Sequence, residues 1–393
     1  MDVGESPVSP LQTAPSLHAT IVEALPDPIL VVAAAGADDV TSRRIVAANA
    51  AARALLRISE GETLLIAAIR DPDVLEAADT ALFGQAEAEA VYEISGAQER
   101  SLKVRAKPLA IGGDDQRLAL LTFHDETEMR RVERTRVDFL ANASHELRTP
   151  LASLAGFIDT LRGHARDDAV ARDRFLGIMQ GQAWRMARLI DDLMSLSRIE
   201  LNEHVAPRGV VDLALVVGEV VEGTTPVASQ QGVSLDWPVW PGPPLLVRGD
   251  RDQLVQVVQN LLDNAIKYSS RGQTVRLGLC IAADSMGGDK EDWPRLPLLA
   301  PDVAGETYAA LRIADQGPGI ARENLPRLSE RFYRVEGQKT AERPGTGLGL
   351  AIVKHIVNRH RGGLTVESAQ GHGTAFTTYL PLADPAAGVA KAS

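Results

Sequence analysis

Between Leu140 and Leu161 the apolar residues Leu140, Ala143, Leu147, Leu151, Leu154, Ile158 and Leu161 recur at steps of three and four. That spacing predicts a helix with one continuous apolar seam. A second seam runs through Phe175, Met179, Gln182, Met186, Leu189, Leu193 and Leu196, after the polar link Gly163 to Asp168. Two such helices make a hairpin whose apolar face is too narrow to bury itself. The packing argument favours two hairpins joined as a four-helix bundle, and hence a homodimer; the alternative is one hairpin packed on a neighbouring domain. His145 is off the seam. At about 100° per residue it lies roughly 160° from Leu147, and Thr149 shares its outward face as an i, i+4 partner. Pro150 follows within a turn, where it removes a helical hydrogen bond and is expected to kink the helix. A lone exposed histidine is ordinarily a solvated residue; here its neighbours Glu146 and Thr149 make it a candidate nucleophile.

The chain has 393 residues, room for several domains, and a formal net charge of −11. No general attraction to nucleic acid is expected, and an anionic ligand has to be held by local basic groups. Cys280 is the single cysteine, which excludes an internal disulfide and a multi-cysteine metal site; its strand-like surroundings predict a small buried hydrophobe. No apolar stretch reaches the roughly 18 residues of a membrane span. Residues 1–16 carry three prolines and no signal-peptide pattern, so they read as a disordered tail, like 385–393.

Residues 17–124 alternate β-like runs (Pro28–Val32, Ser101–Arg105, Arg117–Phe123) with Ala-rich helical stretches near 47–57 and 73–90, a mixed α/β unit of domain size. The charged run 125–137 lacks Gly and Pro and leads into the histidine helix, either as a solvated face or as a signalling rod. The hairpin domain is expected over 138–204, with a hinge near Pro207 and Gly209, and an α/β domain over 210–384. Within it Asp284–Glu306, acidic and rich in Gly and Pro, is expected to be a long surface loop.

That last domain carries a constellation suited to a nucleotide. Asp250 can cap a helix on which Asn260, Asn264 and Lys267 share one face, two amide oxygens for a hard Mg²⁺ and an ammonium for phosphate. Leu311–Ile320 reads as a strand ending in Asp315, an acceptor for an adenine amine, followed by the backbone-exposing Gly317 and Gly319. Arg331-Phe332-Tyr333-Arg334 precedes a polar run, Val335–Pro344, with the character of a lid. Gly345-Thr346-Gly347-Leu348-Gly349 then opens a helix, whose free N–H groups can hold phosphate. The spacing is neither a dinucleotide fingerprint nor a P-loop.

Ser144-His145-Glu146-Leu147-Arg148-Thr149-Pro150-Leu151 resembles the phospho-acceptor box of two-component sensor histidine kinases. The later boxes, through Gly371-His372-Gly373-Thr374, resemble in order those of the GHKL ATPases, so the likeness covers about 128–384. It implies an α/β sandwich that binds ATP and Mg²⁺, with Asn264 and Asn260 at the metal and Lys267, Tyr268, Asp315, Gly317, Gly319, Arg334, Gly345, Thr346, Gly347, Leu348, Gly349 and Thr374 at the nucleotide. It further implies that His145 takes the γ-phosphoryl group while Glu146 accepts a hydrogen bond from its ring, and that an aspartate on a response-regulator receiver domain then takes it from His145. Thr149 matches the position that places water for the reverse, phosphatase reaction. Leu25–Val32 with Ile45–Arg53 resembles the opening of a PAS sensory domain, and 131–204 with 331–360 resembles the phosphate-regulon branch of these kinases. The expected location is cytoplasmic, with any membrane association through a partner or an anchor outside the chain. Two rival readings remain: an ATP-dependent GHKL clamp or chaperone, which has no use for an exposed His145-Glu146, and a catalytically silent PAS scaffold, which has none for the intact glycine boxes.

Overall fold

The computed structural model describes residues 17–34, 43–58, 63–95, 99–109, 117–282, 293–301, 307–335 and 345–383. The two expected tails and the lid beyond Val335 lie outside these residues. The chain divides into two compact units, Met1–Asp138 and Phe139–Ser393.

The first unit runs α1 (Leu17–Ala24), β1 (Ile29–Ala34), β2 (Arg44–Ala48), α2 (Ala50–Leu56), β3 (Thr63–Leu64), α3 (Leu65–Ala68), α4 (Pro72–Phe83), β4 (Ala88–Ile94), β5 (Arg100–Leu109) and β6 (Arg117–Asp125). Its sheet has the order β3-β2-β1-β6-β5-β4, with antiparallel pairs throughout. Asn49 starts α2 by accepting from Ala52 N, and the same oxygen accepts from Ile29 N while its amide donates to Asp27 O at 2.8 Å. One buried side chain thereby ties a helix start to a strand start. Asp71 caps α4, with Pro72 in the first turn where no N–H is needed. The helix expected over 73–90 stops at Phe83, because Gly84 follows and the pattern from Ala88 changes to that of a strand. Leu30, Val32, Val104, Leu121 and Phe123 pack with Val74, Ala78 and Leu82 of α4 in one core.

The boundary between the units falls within α5 (Thr127–Arg162), which continues through Pro150. α6 (Ala169–Leu201) returns after a link closed by Asp168, whose carboxylate accepts from Val170 N and Ala171 N. Phe157 and Phe175 face each other across the hairpin with centroids 5.3 Å apart. Much of the seam stays uncovered: Leu140 and Leu151 are each 57% exposed and Ile158 is 44% exposed.

The rest of the second unit comprises β7 (Val210–Asp212), α7 (Leu213–Gln231), β8 (Ser234–Asp236), β9 (Leu246–Arg248), α8 (Arg251–Tyr268), β10 (Thr274–Ala282), β11 (Arg295–Leu299), β12 (Tyr308–Asp315), a 3-10 turn at Arg322–Arg327, α9 (Gly349–Arg359), β13 (Gly363–Ala369) and β14 (Gly373–Pro381). The main sheet is ordered β11-β13-β14-β12-β10-β8, with β8–β10 its parallel pair, and β7 pairs with β9. Apolar faces of α7, α8 and α9 meet Leu311, Ile313, Val366, Phe376 and Leu380 of the sheet. Leu189, Leu196 and Ile199 of α6 enter the same core, so the hairpin and the sandwich share buried surface.

Two expectations are corrected. The segment expected to be a surface loop contains β11, which pairs with β13 at the sheet edge, where Pro297 is tolerated because one side needs no donor. Cys280 is exposed. β8 pairs only with Thr274, Val275 and Arg276, so the far end of β10 has no neighbour on that side among the described residues.

Leu196 is fully buried where α6 meets the sandwich. Leu196→Ala should lower the stability of the full chain by about 2–5 kcal/mol, read from denaturant unfolding. A change below about 0.5 kcal/mol would show that this contact carries little of the fold.

Candidate active site

On α5, His145 and Thr149 are both exposed, as the helical phase requires, and Thr149 Oγ1 donates to His145 O at 3.3 Å. Glu146 points elsewhere. It is half-buried against α6 and accepts from Arg185 Nη2 at 3.1 Å. The expected bond from the His145 ring to Glu146 is absent among the described residues, because adjacent helical residues diverge by about 100°.

α8 is started by Asp250, which accepts from Asp252 N and Gln253 N. Asp250 N in turn donates to His360 Nε2, while His360 Nδ1 meets Ile356 O at 2.7 Å. Burial holds the His360 imidazole below its usual pKa, and as the neutral ring it accepts on one side and donates on the other. Leu254, Val257, Val258, Leu261, Leu262, Ala265 and Ile266 are buried, which leaves Asn260, Asn264 and Lys267 on the face away from the core.

The glycine turn lies against that face. A Cβ on Gly345 would stand 2.7 Å from Lys267 Nζ, and one on Gly349 would stand 3.4 Å from Asn260 Oδ1. Gly347 has φ 74° and backs onto Phe332, which itself has φ 63° and donates its N–H to Gly347 O. The turn and the aromatic segment are thus fixed to each other. On the other side, Asp315 is 6% exposed at the end of β12, and its Oδ1 accepts from Gly317 N at 2.8 Å and Thr374 N at 3.3 Å. Its Oδ2 enters no described bond. A Cβ on Gly317 would come within 2.6 Å of Tyr268 O, so the Asp315 turn packs on the end of α8. Gly319 has φ 66°, and a Cβ there would overlap Ala369 O more closely still, a position only glycine fits.

Asn260, Lys267, Tyr268, Asp315, Gly317, Gly345 and Gly349 are therefore in one neighbourhood. Burial, then the charges of Arg334 and Arg185, lower the Lys267 pKa to about 8. Burial raises that of Asp315 to about 6 against the pull of its two N–H donors. Asn260 Nδ2 is buried without a partner among the described residues. Clustered cations, a spare carboxylate oxygen and an orphaned amide together describe a place for a polyanion carrying a hydrogen-bonding base. No group of three His, Cys, Asp or Glu side chains that could hold a metal unaided exists among the described residues. A divalent ion here would take amide oxygens and bring water and phosphate, which fits magnesium.

The periodicity did not reveal how the site is joined to the stalk. Thr346 Oγ1 donates to Asp192 Oδ2 at 2.8 Å, Ser195 Oγ to Gln256 Oε1 at 3.0 Å, and Arg331 Nη2 to Glu200 Oε1 at 2.6 Å. Glu203 accepts from Asn358 Nδ2 at 2.6 Å and meets His355 Nδ1 at 3.1 Å. Phe139 stacks near Phe332, with Arg331 over its ring. The glycine turn and α9 are docked on the second half of α6.

Residues 135–202 match the His Kinase A phospho-acceptor domain, and residues 249–384 match the histidine kinase-, DNA gyrase B- and HSP90-like ATPase. The chain belongs to the sensor histidine kinase family. It is 34% identical over 280 residues to the sensor-like histidine kinase SenX3 of Mycolicibacterium smegmatis, covering 71% of this chain and 66% of that one. It is 33% identical over 275 residues to the phosphate regulon sensor protein PhoR of Pseudomonas aeruginosa, covering 70% and 56%. It is 32% identical over 262 residues to the sensor protein kinase WalK of Staphylococcus saprophyticus, covering 67% and 39%. The chain spans less than two thirds of each of these relatives. Among the described residues no helix is long and apolar enough to cross a membrane.

The two shifted groups give opposite pH limits. The folded pKa of Lys267 lies below its usual value, so the free site loses this cation as pH rises through about 8. Nucleotide binding at pH 8–9 should therefore take up protons, seen by calorimetry in buffers of different ionisation heat, and Lys267→Met should abolish the uptake. Asp315 behaves the other way. Its raised folded pKa makes the ionised form a destabilising load on the order of 3 kcal/mol at pH 7, absent below the unfolded pKa near 4. Asp315→Asn, which can keep an oxygen for Gly317 N and Thr374 N, should raise thermal stability at pH 7 while weakening nucleotide binding; a drop in stability would contradict the assigned cause.

Proposed function

We propose that the chain is a protein-histidine kinase that moves the terminal phosphoryl group of ATP to His145 and from there to an aspartate on a response-regulator receiver domain. The observation that carries the reading is one compact unit holding an exposed His145 on a helical stalk and, docked on that stalk, the cradle of Asn260, Lys267, Asp315 and the glycine turn. The family matches over the same two regions support it. Asp315 Oδ2 accepts the adenine amine, Gly317 and Gly319 admit the base, and Lys267, Arg334 and the start of α9 meet the phosphates. Asn264, assisted by Asn260, would hold a magnesium ion, which neutralises phosphate charge when bound. The unprotonated nitrogen of a neutral imidazole is nucleophilic. That nitrogen forms the N–P bond as the bond from the terminal phosphorus to the bridging oxygen breaks, and the electron pair departs with ADP. The proton on the other ring nitrogen then leaves, and Glu146 is the nearest carboxylate in sequence to take it.

The exposed apolar seam, with Trp184 on α6 70% exposed, supports a homodimer through a four-helix bundle. The first unit serves as a PAS-like sensory domain, supported by its antiparallel sheet with helices between strands. Likeness to PhoR makes phosphate limitation the first signal to test. A GHKL clamp has no use for an exposed histidine followed by a stalk-bound carboxylate.

With γ-labelled ATP and Mg²⁺ the full chain should acquire acid-labile, alkali-stable label, and Asn264→Ala should reduce it by roughly 10²-fold or more. Label that persists in this variant, or that resists acid, would exclude the mechanism. Thr149, exposed one turn beyond His145, orients water against the regulator's phosphoaspartate in this reading. Thr149→Ala should slow that dephosphorylation by about 10²-fold with His145 labelling retained, and an unchanged rate would remove Thr149 from the reaction.

A further inference from the structure

Arg185 of α6 reaches in two directions. On one side it donates to Glu146, with the guanidinium 25% and the carboxylate 33% exposed, so the pair stands at the edge of solvent. On the other, Asp192 lies seven residues further along α6, two turns on the same face. Asp192 receives the Thr346 hydroxyl, and the adjacent Gly345 stands against Lys267. The face that carries Arg185 is therefore turned toward the phosphate end of the cradle. Its charge is felt there, since Arg185 and Arg334 both oppose protonation of Lys267. Neither Lys267 nor Arg334 has a carboxylate partner among the described residues. Three cations from three elements thus gather where Glu146 pairs with one of them and the nearby Asp192 is taken by the Thr346 hydroxyl, an arrangement that an added polyanion relieves.

We propose that Arg185 is the third cation of the phosphate site, supplied by the stalk, and that it exchanges Glu146 for the terminal phosphate of bound ATP. The inference rests on the nucleotide reading of the cradle. Tied to a guanidinium, Glu146 is held against α6 and turned from the His145 ring. A terminal phosphate offers more charge and a matching pair of oxygens, so it draws the fork away and leaves the carboxylate free. Once the phosphoryl group has moved to His145, ADP has no such group and the ion pair re-forms. Release of the base is thereby coupled to the presence of the group to be transferred. Arg185 contacts nucleotide through the γ-phosphate alone, which separates this role from a merely structural one.

Calorimetric binding of the Mg²⁺ complexes of ADP and of the β,γ-imido analogue of ATP to the full chain tests it. Arg185→Ala should weaken the imido analogue by at least about tenfold and ADP by less than about twofold, while Arg185→Lys keeps part of the preference. Retained ADP binding also shows that the variant is folded. An equal loss for both nucleotides, or no loss for either, overturns the assignment. Asn264→Ala separates the two levels. If it loses both nucleotides while Arg185→Ala binds as wild type, only the arginine role fails; if it binds both normally, the nucleotide reading fails.

Discussion

The seating of the ATPase sandwich on the second half of α6 is the contact on which the rest of the second unit depends. Leu189, Leu196 and Ile199 sit in the sandwich core, and the same stretch of helix presents Asp192, Ser195 and Glu200 to Thr346, Gln256 and Arg331. One helix therefore serves two structures. Its apolar residues hold the sandwich, and its polar residues choose which part of the sandwich faces the stalk. That part is the glycine turn, the element proposed to meet phosphate. The glycine turn and His145 are thus both carried by the helical hairpin, the turn against α6 and His145 on α5.

The polar links are of a kind that can be remade. Arg331–Glu200 and the Glu203 contacts are half-buried ion pairs and charge-assisted bonds, and such pairs contribute modestly because desolvation offsets much of their attraction. The apolar anchor is stronger and non-directional. A seat built this way holds the sandwich near the stalk while leaving its orientation adjustable, as the proposed phosphoryl transfer and regulator access would require. The perturbed groups of the site fit that picture. Lys267 and Asp315 carry their charges under strain from burial, and a nucleotide with phosphates at one end and an amine at the other relieves both.

Much of this was legible in the amino-acid order. The 3.6-residue period placed His145 and Thr149 outward and put Asn260, Asn264 and Lys267 on one face, and the strand-then-glycine pattern put Asp315 at a sheet end. These are local signals, set by the chain's own geometry. What was not legible is non-local. Thr346 and Asp192 are 154 residues apart, and Arg331 and Glu200 are 131 apart. No period links them. Glu146 was read as oriented toward its neighbour's ring, whereas tertiary packing turns it to Arg185. Cys280 failed because a strand pattern does not report whether another element covers its face, and β11 because the Gly, Pro and acidic residues around it hide a short edge strand whose partner β13 lies far along the chain.

The most direct measurement is the location of the phosphate. Full-length protein incubated with Mg·ATP, digested and fragmented at neutral to mildly alkaline pH by electron transfer, should carry one phosphoryl group, on His145. Phosphate on another histidine such as His164, or only on serine, threonine or aspartate, would contradict the account.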